Sequence, residues 1–342
     1  MATIAVTGAA GHVGANLVRA LLRRGHQVRA LVHHDRRALQ GLDVEVVQAD
    51  VSDFNSLVRA FTGVSLVYHA AGYISVSTGD WESLKAINIL GTRNVIDACL
   101  HCGVQRLVYF STIEALEDSP MDTAVDEARP LARPEKCFPY ARSKIAADRL
   151  VREASTVRGL DAVILYPTAI LGPFDFRLGY PNMGLLTLCN GGLPALIDGG
   201  FDWVDVRDVA EGAVSAGEHS PSGEKYILSG HWAAIQDLAK IVEEVCGTRA
   251  PRWVLPMWMG RLGAPFLTAF GQLTKRPSLC TSASLKPLRG NRRMSHRFAA
   301  KELGYRPRPL KETVIDTLRW FQQTETPVPL LRSPYCDTPD VK

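Results

Sequence analysis

The sequence has few cysteines, and their spacing pairs none of them. Seven lie at 99, 102, 137, 189, 246, 280 and 336 of the 342 residues. An odd number at irregular intervals is no disulfide framework, and the expectation is reduced thiols in a cytoplasmic setting. The one close pair, Cys99 and Cys102 in "CLHC", has no second pair at zinc-site spacing, so no metal is expected. An excess of one charge is also missing: 39 Lys and Arg face 35 Asp and Glu, a net charge of +4. That balance gives no case for a nucleic-acid partner. No basic leader with a cleavage site precedes "TIAVTG", so no secretion signal is expected. The longest apolar stretch, 253–273, is broken by Pro256, Arg261 and Pro265, which argues against a membrane-spanning helix. Three readings of it stay open: a buried helix pair, a wall for a bulky apolar substrate, and a helix leaning on a membrane surface.

What is present is a regular alternation. Apolar runs at 3–8, 27–33, 44–50, 65–72, 106–112 and 161–167 read as strands. Between them, residues 12–25, 54–63, about 80–101, and a segment opening near Pro139 carry helical spacing. Strands and helices alternating at this pace give right-handed β-α-β units. The expected fold is α/β, a doubly wound parallel sheet of Rossmann type with a smaller C-terminal substrate-binding region. Residues 1–170 would form the dinucleotide half, with 201–217 returning to it, 171–325 mainly the substrate region, and 326–342 a loose tail.

Ligands in such sheets sit beyond the carboxyl ends of the strands. There the sequence places "TGAAGHVG" (7–14), between the first strand and the first helix. Gly8 permits the tight turn, Gly11 lets the main chain approach a pyrophosphate, and Gly14 lets helix and sheet pack closely. Ala10, His12 and Val13 complete the loop, whose helix start offers amides and a partial positive charge to phosphates. After the second strand, "LVHHDRR" puts His33 where an NAD site usually has Asp or Glu. Arg36 and Arg37 follow within reach of a 2′-phosphate, which leans toward NADP over NAD. Asp50 and Val51, after the third strand, stand where adenine would lie.

One more pairing carries chemistry. In "FPYARSK" (138–144), a helix starting at Pro139 sets Tyr140 and Lys144 one turn apart on one face. An ammonium beside a phenol favours the phenolate, which suits a proton donor working near neutral pH.

Together these stretches resemble the extended short-chain dehydrogenase/reductase superfamily, of the NAD-dependent epimerase/dehydratase type, from about residue 3 to about 320. "TGAAGHVG" is similar to its cofactor loop, and "YHAAG" (68–72) to its fourth-strand motif. "NILGTRN" (88–94), "YFSTIEAL" (109–116), "YARSK" (140–144), "YPTAILGP" (166–173), "WVDVRDVAEG" (203–212) and "AAKELGYRPRPLKE" (299–312) follow in the family's order. The resemblance implies that Tyr140 is the general acid/base, with Lys144 lowering its pKa and holding the nicotinamide ribose. It places the substrate-binding hydroxyl on Thr112, with Ser111 as the alternative. His69, Ala70 and Ala71 would lie along the nicotinamide half, with Tyr166, Pro167 and Thr168 closing the site. Such an enzyme moves a hydride between NADP or NAD and a ketone or secondary alcohol.

The superfamily also holds nucleotide-sugar epimerases and dehydratases. Those usually carry Asn where this chain has Thr168, and dehydratases carry Asp where it has Ile113, ahead of Glu114. "STIEAL" is closer to 3β-hydroxysteroid dehydrogenases, and "VRALVHHD" to dihydroflavonol reductases. The expectation is a bulky apolar substrate, with a sugar-nucleotide epimerase using tightly bound NAD as the alternative. Arg292 or Arg293, in the basic run 289–308, is the best argument for that alternative. Residues 74–80, 113–117, 174–200 and 253–290, which would set specificity, carry no readable pattern. Expected partners are a small-molecule substrate and no nucleic acid, with peripheral membrane contact and a homodimer both open.

Overall fold

The computed structural model describes residues 3–76, 79–273, 281–324, 326, 328, 329, 331, 332 and 335. Cys280, Cys336, most of the tail 326–342, and parts of two expected specificity regions (77–78 and 274–280) lie outside them.

The first half runs β1 (Thr3–Thr7), α1 (His12–Arg23), β2 (Gln27–Val32), β3 (Glu45–Gln48), α2 (Phe54–Phe61) and β4 (Val64–His69). A helical stretch follows: α3 (Trp81–Leu84), a π turn (Lys85–Leu90) and α4 (Gly91–His101). Then come β5 (Arg106–Phe110), α5 (Pro139–Val157) and β6 (Ala162–Pro167). The strands carry buried apolar side chains, and α1 turns Leu17, Val18 and Leu21 inward. Asp53 caps α2, its carboxylate accepting from the amides of Asn55 (3.0 Å) and Ser56 (3.2 Å). Pro139 occupies the first turn of α5, where the missing N–H costs nothing.

The second half adds β7 (Ala169–Leu171), α6 (Tyr180–Cys189), β8 (Leu196–Ile197), β9 (Gly200–Asp205) and α7 (Val206–His219). It continues with β10 (Lys225–Leu228), β11 (His231–Ala234), α8 (Ile235–Cys246), β12 (Val254–Leu255) and α9 (Met257–Leu273). Last are α10 (Ser282–Leu285), α11 (Arg297–Leu303) and α12 (Leu310–Gln323).

The main sheet has seven strands in the order β10-β6-β5-β4-β1-β2-β3, every pair parallel. The chain winds outward through β2 and β3, then crosses back to β4, so the crevice opens between β1 and β4. On one face α1 and α7 bury Leu17, Val18, Leu21, Val209, Ala213 and Val214. On the other, α2, α4 and α5 bury Leu57, Phe61, Val95, Ile96, Ile145 and Val151. Both faces are covered, as a parallel sheet requires.

A smaller region has its own core, built on Leu185, Trp203, Leu238, Val242, Leu318 and Phe321. It holds a three-stranded sheet, β11-β9-β7, and the pair β12-β8. Within 201–217, β9 belongs to this small sheet while α7 packs beside α1 on the main one. In the tail, Leu331 is buried in the third core and the Arg332 amide donates to the Val245 carbonyl at 2.8 Å.

Candidate active site

The glycine loop is a cradle that no side chain could share. Gly8 has φ +68°, and a Cβ there would lie 2.6 Å from the Ala71 amide nitrogen. A Cβ on Gly14 would lie 2.1 Å from the Gly8 carbonyl oxygen. Gly11 begins α1 with no side-chain cap, and no acid stands in the first turn. The helix start is thus open to an anion, and the residues present fit a dinucleotide's phosphates.

Beneath this loop the end of β4 is locked by a hydrogen-bond chain. Thr92 Oγ1 donates to the Asn88 carbonyl (2.7 Å) and accepts from His69 Nε2 (3.0 Å). His69 Nδ1 therefore accepts from Thr7 Oγ1 at 2.7 Å, and Thr7 Oγ1 in turn accepts from the Ala71 amide. His69 is 1% exposed, and burial, then Lys144, lowers its pKa to about 3, so it is neutral at pH 7. Its side chain is a strut: the backbone of Ala70 and Ala71, not the imidazole, faces Gly8.

The crevice rim carries the residues expected on the adenosine side. His33 Nε2 lies 3.1 Å from Asp50 Oδ2, and both side chains are exposed. Arg37 is held by Asp35, through Nε (3.1 Å) and Nη2 (2.8 Å). Arg36 is exposed, with no ion pair among the described residues. Val51 packs against Gly91, where a Cβ would approach it to 2.8 Å, and its carbonyl accepts from Asn94. His12 reaches away from the loop, its Nε2 lying 3.1 Å from the Gly172 carbonyl oxygen.

At the end of β5 and the start of α5 the chemical groups converge. Tyr140 and Lys144 share one face of α5, as the spacing predicts. Burial raises the Tyr140 pKa, the Glu114 carboxylate raises it further, and a hydrogen bond with the Thr112 side chain opposes both. Thr112 opens the short 3-10 turn Ile113–Ala115, which brings Glu114 round to the phenol. Glu114 keeps its solvent exposure, yet the protein around it desolvates the carboxyl and raises its pKa to about 6, with Lys286 opposing. Lys144 is buried; desolvation lowers its pKa to about 7, and Asp148 opposes. Its ammonium donates to the Phe110 carbonyl at 2.6 Å and lies 4.4 Å from the Tyr109 ring centre. The ionisable side chain acting on Tyr140 here is Glu114, with Lys144 engaged at the strand end.

Three of the residues expected at the site turn elsewhere. Ser111 Oγ donates to Asp148 Oδ2 at 2.9 Å, and Tyr166 donates to the same oxygen at 2.8 Å. Arg152 completes that buried cluster beneath the sheet, bonding to Asp148 (2.5 Å) and to Tyr166 (2.6 Å). A carboxylate buried at 0% exposure needs such donors, which draws both hydroxyls away from the crevice. Thr168, which follows Pro167 at the end of β6, donates to Asp202 at 2.7 Å and is 8% exposed. The structure thus leaves Thr112 as the hydroxyl beside Tyr140.

Two features were not named as site residues from sequence. Glu114 had a signal, two positions after Thr112. Asn88 had a weaker one in "NILGTRN": its amide bonds to both the amide and carbonyl of Tyr73 and to Ser143 Oγ. Ser143 donates to the Tyr140 carbonyl at 2.7 Å, so Asn88 ties the α5 start to the loop after β4. A separate surface depression, lined by Gly25, His26, Arg106 and Glu218, lies at the amino ends of the central strands, away from all of these.

Comparison with known proteins agrees with this geometry. The model of the NAD dependent epimerase/dehydratase family matches residues 4–229. A protein of Methylococcus capsulatus named sterol demethylase protein B is 34% identical over 328 residues, covering 94% of this chain and 98% of its own. A Synechocystis sp. protein named putative dihydroflavonol 4-reductase is 30% identical over 329 residues, covering 93% and 94%. Among solved structures, that of gox2253 has a TM-score of 0.84 and 32% identity, covering 95% of this chain and 99% of its own.

Proposed function

Since the chain belongs to the NAD-dependent epimerase/dehydratase family, we propose that it interconverts a ketone and a secondary alcohol on a bulky apolar molecule. The Gly8–Gly14 loop and the start of α1 would hold the dinucleotide, which would supply or accept the hydride. In reduction, the Tyr140 hydroxyl gives its proton to the carbonyl oxygen as hydride reaches the carbonyl carbon. Thr112 Oγ1, hydrogen-bonded with Tyr140, holds the same oxygen. In oxidation Tyr140 takes the alcohol proton back. Lys144 orients the nicotinamide ribose from its place above Tyr109. We read NADP in preference to NAD, because Arg36 is available and no acid stands at His33. The five free cysteines among the described residues fit a cytoplasmic setting.

The observation that carries the choice of an apolar substrate is the engagement of the anion-binding candidates. Thr168 is bound to Asp202. Arg293 donates to the Asp122 carbonyl at 2.6 Å, and Arg292 lies 4.6 Å from the Trp232 ring centre. Each of the three already has a partner within the protein, which weighs against its holding a sugar-nucleotide's diphosphate. The names of two relatives, a sterol demethylase protein and a dihydroflavonol reductase, support the same class.

Turnover of NADPH with a panel of polycyclic ketones, set beside sugar nucleotides, tests this reading. Tyr140→Phe should lose about 10²–10⁴-fold in kcat while binding NADPH as the parent does. Retained turnover would remove the mechanism. Tightly held NAD with turnover only on sugar nucleotides would transfer the chain to the epimerases.

A further inference from the structure

Over residues 253–266 the apolar stretch is built the wrong way round for a buried helix. In α9 the inward positions are Met257, Gly260 and Ala264, of which Met257 and Ala264 are each 1% exposed. The outward positions are larger: Trp258 is 61% exposed, Leu262 65% and Phe266 78%. These recur at i, i+4 and i+8, one stripe on one face. Trp253 and Met259 extend the stripe, at 74% and 40%. An apolar patch of this kind marks an interaction surface.

The charge along this part of the sequence is one-sided, although the exposed Asp198, whose amide donates to the Leu255 carbonyl, lies close to the start of α9. From Val245 to Lys301 the sequence has no Asp or Glu, while eleven Lys and Arg occur. The rest of the chain carries 28 Lys and Arg against 35 Asp and Glu. The modest net charge of +4 therefore hides a strongly basic segment on an otherwise acidic protein. Arg261, within α9, and Arg252, which precedes Trp253 in the sequence, are both exposed.

We propose that this face of α9 docks on an anionic lipid surface. Trp258, Leu262 and Phe266 would enter the boundary between headgroups and acyl chains, and Arg252 and Arg261 would meet the lipid phosphates. Exposed tryptophans suit that boundary, being apolar with one polar N–H. No helix among the described residues is long and apolar enough to cross a membrane, so the contact is peripheral.

The position of α9 links this surface to the site. Gly260 packs against Ile197 and Leu285, which joins α9 to α10. Just after α10, Lys286 donates to the Lys136 carbonyl at 2.6 Å and lies 5.6 Å from the Phe138 ring centre. Phe138 precedes the catalytic helix, and Lys286 also acts on Glu114. A docked α9 would hold the rim of the site close to the lipid.

The test is co-sedimentation of the full chain with vesicles, which needs no turnover and is independent of the substrate reading. Vesicles of phosphatidylcholine with one quarter phosphatidylglycerol should retain the protein, with a blue shift in tryptophan emission. Vesicles of phosphatidylcholine alone, or added salt, should retain much less. Combining Trp258→Ser, Leu262→Ser and Phe266→Ser should cut retention at least about tenfold. Arg252→Gln and Arg261→Gln should each cut it about fivefold. Unchanged NADPH affinity shows that these variants fold. No retention of the parent protein, or retention indifferent to the triple variant, overturns the proposal. So does a dimer that the triple variant dissolves in the absence of vesicle binding, since a second copy would then cover the face.

Discussion

In the proposed mechanism Tyr140 has to exchange a proton, and its surroundings make ionisation hard. Burial acts first and the Glu114 carboxylate second, both raising the phenol's pKa. Glu114 titrates at about 6, so above that pH it carries the charge that opposes phenolate formation. Glu114→Gln removes that charge and should lower the Tyr140 pKa. In the alcohol-oxidising direction, which needs the phenolate, the acidic limb of kcat/KM against pH should move to lower pH. A limb that stays in place would show that Glu114 does not act on the phenol. A second pair of residues divides a role the sequence left shared. Arg37 is engaged by Asp35 through two bonds, whereas Arg36 has no ion pair among the described residues. Arg36→Ala should raise the KM for NADPH about tenfold and leave that for NADH unchanged. Arg37→Ala should do less, and the reverse ranking would reassign the 2′-phosphate contact.

The turn between β1 and α1 shows why some elements can be read directly and others cannot. Gly8 sits at φ +68° with its missing Cβ in the path of Ala71, so glycine is required and the sequence displays it. Gly8→Ala should destabilise the fold by about 1–3 kcal/mol and weaken dinucleotide binding in parallel, because it pushes the β4 end away from the loop. Thermal melting and NADPH titration of the variant check this; a stable variant that binds normally would contradict it. The six strands from β1 to β6 were readable because each is an apolar run ending at a turn. The seventh, β10, was not: "KYIL" is four residues long and gains its identity by pairing with β6. The Asp148 cluster was equally hidden, since nothing local says that Ser111 and Tyr166 will turn to one buried carboxylate. Glycine turns and apolar runs are local signals, while strand pairing and buried polar partners are set by residues far apart in the chain.

Across the whole molecule, the buried ionisable groups of an NAD-dependent enzyme site leave a mark on stability. Lys144 has its folded pKa lowered from 10.5 to about 7 by desolvation, with Asp148 opposing. Between those values the unfolded chain binds a proton that the folded one does not, so stability rises with pH across that window. His69, lowered from 6.5 to about 3, acts in the same sense below pH 6.5. The buried tyrosines work oppositely: Tyr68, Tyr109, Tyr166 and Tyr305 have raised pKa values, so stability falls as pH rises above about 10. Glu114 and Asp208, both raised to about 6 by burial, favour the folded state in acid and offset part of the His69 effect. Burial also raises the pKa values of the Cys99, Cys102 and Cys137 thiols, which lowers stability as pH nears and passes about 9, so the slope that belongs mainly to Lys144 lies between about pH 7 and 8, with a ceiling of about 1.4 kcal/mol per pH unit for one proton. Urea midpoints taken at about pH 7, 7.5 and 8 should climb for the parent protein, and Lys144→Met, which nearly keeps the length and removes the charge, should flatten the climb. Equal slopes in the two proteins would mean that the ammonium at the end of β5 is solvated, and that the carbonyl of Phe110 is not its partner.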